Sequence, residues 1–480
     1  MHAIGLEDIL KSIPQAIQEG RYNTVDQLLW PALDQRPDNP SLWFYAGVFS
    51  SLLGRQALAI SCFLKSQELD PQAGHWSNLG GVVRATDVEL GRKVLEIGLD
   101  HYPEDPHILA NLCGSYVNEG NPYPGIEYGE RVKDQKEGGP AAKFNLALLH
   151  LEAGHYAQGF DLYAEGHHRL REQKTYDPDP SVLTPELHQQ LKGQGKRLII
   201  WGEQGIGDEL MFASMFADIK KDYHIVFDCH ARLESLYRNS AWFNAPGYPI
   251  TLFPTRKIDE KPWSVEADAK SSIGNMARFY RRDAQSFAWR GPIYRGDAKE
   301  TAEMRTHLAK IAQGRKIIGL ALNGGTMSTA RTYRSMHPDK FEALLKDDRY
   351  LFVSLDYEDM TNIAKHIAEK YGNGKYIWHP SVCWAWDYIH HASLIAATDA
   401  VVTVCQSIAH LSAAMGHPTF VMTPSKPAWR YGLTGDIWHW YPSPNARLLR
   451  QLNEDFGPAF EVLKESLQAR LFNREVAYGA

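Results

Sequence analysis

Up to about residue 170 the apolar positions recur at the helical period, and a glycine interrupts most stretches near the middle. Prolines follow short polar or acidic steps at Pro40, Pro71, Pro106 and Pro140, spaced 31, 35 and 34 residues apart. A period of that length predicts stacked helical hairpins, none of which can bury its apolar face alone. Trp43, Gly47, Gly54, Ala59, Phe63 and Pro71 form the clearest unit, and Trp76, Leu79 and Gly80 open the next. Leu112, Tyr116 and Gly120 mark a weaker one, and Leu146, Ala147, Gly154, Gly159 and Tyr163 mark the last. Small residues let paired helices approach, and aromatic ones fill the gaps between hairpins. Counting a degenerate hairpin before Pro40, five units cover residues 1–170.

Residues 171–195 break the pattern with Pro178, Pro180, Pro185, Gly193 and Gly195, and read as a linker with one short helix. Beyond it the period changes. Short apolar runs predict strands at 197–201, 224–228, 250–253, 316–322, 351–355, 376–378, 401–404 and 419–422. Helical patterns at 211–219, 338–346 and 387–397 lie between them, as βαβ units require. The stretch 267–289, with Met276, Arg278, Arg281, Arg282 and Trp289, reads as a helix with one basic side. The expected organisation is an all-α array (1–170), the linker (171–195), and two nucleotide-binding α/β domains (196–297 and 298–480) facing a cleft.

Composition narrows the class. The chain has 480 residues, 44% hydrophobic and 22% charged, enough for two or three ordinary globular cores. Its 51 basic and 57 acidic residues, net -6, give no global cationic character for holding nucleic acid. The five cysteines are scattered, without the spacing of a zinc or redox site. Glu7 and Asp8 make the first segment a helix rather than a signal peptide, and no run approaches the ~18 apolar residues of a membrane span. The expected location is cytoplasmic.

Two strand–turn–helix steps carry the candidate chemistry. The first turn holds Gly202, Gly205 and Gly207, whose spacing is not the dinucleotide fingerprint. Such a turn lets a ligand approach the backbone, and the helix start offers free N–H groups to an anion. Asp208 follows; it either caps the helix or acts as a general base aimed into the cleft. Glu203 and Glu209 are the competing carboxylates, Glu209 lying along the helix. In the second step, strand 400–404 ends at Cys405-Gln406-Ser407, and a helix carries Ile408, Ala409 and His410 in its first turn. A diphosphate fits there, held by Gln406, Ser407 and the following amides, with His410 either a donor to it or a core group. Asn323 with the Gly-Gly turn, then Arg331 and Arg334, either supply positive charge beyond another strand end or form a surface pair. The nucleoside base is expected near Leu355, Asp356 and Trp378. With the charge met by fixed dipoles, neither a metal nor another cofactor is expected.

Asn78, Asn111 and Asn145 recur once per repeat on the first helix. Asparagine is a poor helix former, so the recurrence has a reason. The amides either hold an extended peptide on the concave face or bridge neighbouring helices.

The hairpin positions resemble tetratricopeptide repeats. From residue 196 on, "WGEQGIGDELMFA", "NGGTMSTARTYRSM", "VVTVCQSIAHLSAAMGHPTFVM" and "WRYGLTGDIWHWYPSPNARLLRQ" resemble a GT-B glycosyltransferase, nearest the heptosyltransferase-like domains joined to such repeats in bacterial proteins. The resemblance implies a metal-independent, inverting transfer of a sugar from a nucleotide diphosphate-sugar to a hydroxyl. Asp208 is then the base, Arg334 a phosphate contact, and the segment around His410 the donor site. The repeats imply a polypeptide acceptor or partner, such as a surface or flagellar protein. This sequence departs from the family at Cys405-Gln406, where relatives carry Asp-Thr, and at Ser328, Thr329 and Ala330, where they carry charge. The alternative is a non-catalytic repeat scaffold with a degenerate nucleotide-sugar-binding domain.

Overall fold

In the computed structural model the described residues are 5–170, 179–256, 265–325, 331–378 and 387–472. They form an N-terminal array of helical hairpins followed by two parallel, Rossmann-like sheets of the GT-B kind. The chain separates into two compact units, Met1–His150 with Glu165–Leu170, and Leu151–Ala164 with Arg171–Ala480.

The array runs α1 (Leu6–Gln18), α2 (Tyr22–Gln35), α3 (Pro40–Leu52), α4 (Gln56–Leu69), α5 (Ala73–Arg84), α6 (Val88–His101), α7 (Pro106–Ser115), α8 (Tyr123–Val132), α9 (Gly139–Glu152) and α10 (Tyr156–Leu170). The polar-proline steps are helix starts. Asn39 accepts the Leu42 N–H and Asp105 those of His107 and Ile108, while Pro40 and Pro106 occupy the first helical position. The central glycines set the approach within a hairpin. A Cβ on Gly47 would sit 2.6 Å from the Phe63 ring, and one on Gly80 would sit 2.4 Å from Leu95. Of the recurrent asparagines, Asn111 donates to the carbonyl and hydroxyl of Ser77 one repeat earlier, and Asn78 donates to its own helix at Gly74. The Asn111 contact is the bridging kind, while that of Asn78 stays within its helix.

In the second unit, β1 (Lys196–Trp201), β2 (Tyr223–His230), β3 (Ile250–Arg256) and β4 (Ala269–Ser272) form one parallel sheet, ordered β3-β2-β1-β4. The other holds β5 (Lys316–Ala321), β6 (Tyr350–Ser354), β7 (Tyr376–Ile377), β8 (Ala400–Val404), β9 (Thr419–Thr423) and β10 (Ala446–Arg450), ordered β10-β9-β8-β5-β6-β7. Strand order reverses between β1 and β4 and again between β5 and β8. In such sheets ligands bind beyond the carboxyl ends of the strands at these reversals. The core of the larger sheet is Ile318, Leu320, Phe352, Val402, Phe420 and Leu463, among others, which explains its near-continuous apolar strands.

Two expectations are corrected. The stretch 267–289 is not a helix. It is β4 followed by short turns of helix at Gly274–Met276, Ala277–Tyr280 and Ala284–Phe287. β4 reads Ala-Lys-Ser-Ser and has no apolar run to signal it. It is nonetheless buried, because Lys270 pairs with Asp179 at 2.6 Å. Within it Arg281 is buried against Asp218, and Arg278 and the exposed Arg282 meet Asp161. The predicted helix 211–219 begins earlier, at Ile206, and breaks after Ala213. A strand without a counterpart among the expected ones, β10, lies outside β9 at the sheet edge. Residues 171–178 of the linker and Ser328, Thr329 and Ala330 lie outside the described residues. Part of the remaining linker pairs with β4, where Leu183 donates to Lys270 and Lys270 to Ser181.

Candidate functional site

Within the second unit a cavity of about 590 Å³ opens where both strand-order reversals point. It is lined by the turn after β1 (Gln204, Gly205, Gly207, Asp208), by Gly325 and Arg334 beyond β5, and by Gln406, Ser407 and His410 beyond β8. The helices Ile206–Ala213 and Ser407–Ala414 begin side by side. A Cβ on Gly207 would lie 3.3 Å from the Ser407 Cα and 3.3 Å from the His410 ring. Only glycine permits that approach without displacing the Ser407 backbone. Two helix starts, each with unsatisfied amides and partial positive charge, therefore share one cavity.

Its charged groups reinforce those dipoles. Among the described residues Arg232, Arg334 and Arg430 line it with a single carboxylate, Asp208. Arg430 Nη2 lies 2.5 Å from Asp208 Oδ1. The other carboxylate oxygen, Oδ2, accepts the Gly205 N–H at 3.1 Å, so Asp208 also caps its helix. Of the two roles weighed for this residue, the helix cap is the one its contacts display. Arg334 donates to the Cys405 carbonyl at 3.3 Å, which fixes it over the second turn. Its Cβ would clash with any side chain at Gly324, and Ser335 Oγ accepts the Gly324 N–H. Ser407 Oγ is 3.0 Å from the Tyr388 hydroxyl, and Arg232 lies over the Tyr388 ring.

His410 is buried and neutral. Its ring nitrogens face the hydroxyls of Tyr441 and Tyr431, each at 3.3 Å, and Trp438 packs on the ring. Burial, then the charge of Arg430, holds its pKa well below the ordinary histidine value. As a neutral group it offers a ligand no positive charge. Gln406 is 6% exposed, and neither amide atom has a hydrogen bond of good geometry, although the Asp356 carboxylate is beside it. A buried amide left in that state is a group awaiting a partner. Burial pushes the neighbouring Cys405 thiol up to about 12, so it is not a nucleophile.

Other expected residues are not brought to the cavity. Arg331 makes a two-pronged ion pair with Glu358, and Asn323 gives its N–H to Asp356 and its amide to Met360 Sδ. Ile408 and Ala409 are fully buried, and only their backbone is at the helix start. Leu355 and Asp356 are each 1% exposed and form no base groove; Asp356 accepts the N–H groups of Leu322 and Asn323. Burial pushes its carboxyl up to about 6. Tyr357, the next residue, is the one that reaches the cavity. Glu209 lies fully buried along the helix, paired with Arg256 and accepting from His230 N–H and the Tyr237 hydroxyl. Sequence reasoning missed Arg232, Arg430, Tyr357 and Tyr388. The first two follow β2 and β9 within polar or aromatic stretches, where nothing distinguishes them from surface positions.

Among the described residues one grouping, His337, Asp339 and His366, has the spacing to hold a metal ion. It does not line the cavity. The Asp339 carboxylate is already taken by His366 at 2.7 Å, Lys370 at 2.9 Å and Tyr371 at 2.8 Å.

No family model matches the chain. A curated relative, Protein FlbA of Caulobacter vibrioides, is 26% identical over 416 residues, or 82% of this chain. The match spans 66% of that relative's length. Among solved structures, a tetratricopeptide-repeat protein of Thermus thermophilus is similar over 34% of this chain and 90% of its own, at 18% identity and a TM-score of 0.31. PilF of Pseudomonas aeruginosa is similar over 35% of this chain and 77% of its own, at 20% identity and 0.31. Among the described residues no helix is long and apolar enough to cross a membrane.

Proposed function

We propose that the second unit binds a nucleotide diphosphate-sugar and transfers the sugar to a hydroxyl acceptor with inversion, as a GT-B glycosyltransferase. The observation that carries this is the convergence of two helix starts and three arginines on one cavity whose single carboxylate, among the described residues, is Asp208. The amides around Ser407, with Arg334, receive the diphosphate. Fixed dipoles and guanidinium groups then meet the charge that develops on the leaving group, which is the task a divalent cation performs in other transferases. The acceptor oxygen attacks the anomeric carbon, the bond from that carbon to the phosphate oxygen breaks, and the acceptor proton passes to Asp208. Bound diphosphate competes for Arg430 and so frees the carboxylate for that step.

The repeats bring a polypeptide, and the acceptor hydroxyl is on that protein or on a sugar it carries. Labelled-sugar transfer to lysate proteins, with the full chain and with the α/β unit alone, tests this. Equal transfer by both sinks the recruitment role.

A second reading, a binding scaffold without transfer, is favoured by the Asp208–Arg430 ion pair and by Cys405-Gln406. Calorimetric titration with a set of nucleoside diphosphates and their sugars separates the two. Binding without turnover, unchanged by Asp208→Asn, supports the scaffold; turnover abolished by that substitution supports the transferase.

A further inference from the structure

The cavity wall formed by the turn after β1 is held in an uncommon conformation. Gln204 has φ +58°, a left-handed backbone that a residue with a side chain adopts rarely and at an energetic cost. Such a conformation persists only where surrounding contacts determine it. Three are present. Arg256 donates to the Gln204 carbonyl while its guanidinium also holds buried Glu209. The Gln204 side-chain amide donates to the Tyr163 hydroxyl, and that hydroxyl donates in turn to Glu203 Oε1 at 2.9 Å.

Tyr163 is fully buried, on α10, and its ring packs against Phe212 on the helix that Asp208 opens. The fit allows no slack. A Cβ on Gly274 would fall 1.9 Å from Glu203 Oε1 and 2.9 Å from the Tyr163 ring. Tyr163 therefore touches both residues preceding Gly205 and the helix following it, without lining the cavity itself.

We infer that Tyr163 is a positioning residue whose hydroxyl latches the Glu203-Gln204 turn, and through it sets the Gly205–Asp208 wall of the cavity. Its importance for ligand binding rests on the function proposed above; the latch does not. Tyr163 falls in the last helical hairpin, where its aromatic ring looks like repeat packing. Removing residues 1–170 as "the repeats" therefore removes the latch as well.

The test uses the full chain carrying Tyr163→Phe, which keeps the ring and deletes the hydroxyl. Hydrogen exchange is followed by mass spectrometry, and pyrophosphate binding by calorimetry. The expected result is exchange at least about 10-fold faster in peptides covering 202–208, with other peptides and the thermal midpoint unchanged. Pyrophosphate affinity then falls severalfold. Gln204→Met, which keeps the backbone cost and removes the amide donor, gives the same local loosening and serves if Tyr163→Phe does not fold. Unchanged exchange at 202–208 in the folded variants overturns the latch. Absence of pyrophosphate binding by the unsubstituted protein, with the exchange change present, overturns the diphosphate site and leaves the latch standing.

Discussion

Arg430 Nη2 lies 2.5 Å from Asp208 Oδ1, so among the described residues the one carboxylate lining the cavity is neutralised by one of the three arginines there. The pair arises from chain segments more than 200 residues apart, one opening a helix of the smaller sheet and the other following β9. A bound diphosphate and Asp208 compete for the same guanidinium. Asp208→Asn removes the competitor and leaves an acceptor oxygen for the Gly205 N–H. Pyrophosphate should then bind at least as tightly as to the unsubstituted protein, while sugar transfer falls by about 10²–10⁴-fold. Calorimetry and a transfer assay on the same preparation check both halves.

Arg334 is fixed over the second turn by the Cys405 carbonyl and lines the cavity, whereas Arg331 is held away from it by Glu358. Arg334→Ala should weaken nucleoside diphosphate binding by roughly 1.5–3 kcal/mol, the worth of a charge-assisted contact. Arg331→Ala should leave that affinity nearly unchanged. Equal losses for the two would mean the Arg331–Glu358 pair opens on binding.

Gly207→Val tests the convergence of the helix starts. Any Cβ there meets both the Ser407 backbone, which has no side-chain rotamer to give way, and the His410 ring, and a branched one adds to the crowding. Loss of anion binding is expected, with a lowered thermal midpoint. The control Gly154→Val lies where a Cβ meets nothing, so its cost comes only from the backbone at φ +77°. That variant should retain anion binding.

Stability should fall as the solution is acidified from pH 6.5 toward 4. Burial holds His391 and His417 down at about 4, and holds His410 well below the ordinary value. In that window the unfolded chain binds protons that the folded chain cannot, so each group withdraws stability as the pH drops. The limit is about 3 kcal/mol for each of the first two. Chemical denaturation at several pH values checks the slope. His417→Gln should flatten it.

The repeat period, the two helix starts and most strands were legible in the sequence because each has a local signal: capped prolines, apolar runs, glycine turns. Asp208 and Ser407 stand out along the chain for the same reason, since each begins the helix of a strand–turn–helix step. β4 was not legible, because Lys270 is buried through an ion pair with Asp179 rather than through hydrophobicity. Arg331 and Arg334 look equivalent along the chain, and only packing shows that Glu358 claims the first. Arg430 could not be found from spacing at all. The division of α10 is equally nonlocal: Phe160 packs edge-on to Trp440 and Tyr163 meets Phe212, so residues 151–164 belong with the α/β unit. A chain beginning at Leu151 should keep nucleoside diphosphate binding, whereas one beginning at residue 171 should lose it together with cooperative unfolding.

The most direct measurement is a crystal structure of the protein soaked with a nucleoside diphosphate. Phosphate oxygens within hydrogen-bond reach of the Ser407 amide or hydroxyl and of Arg334, with Arg430 drawn off Asp208, are the predicted result. A nucleotide bound elsewhere, or an empty cavity at millimolar nucleotide, would contradict the account.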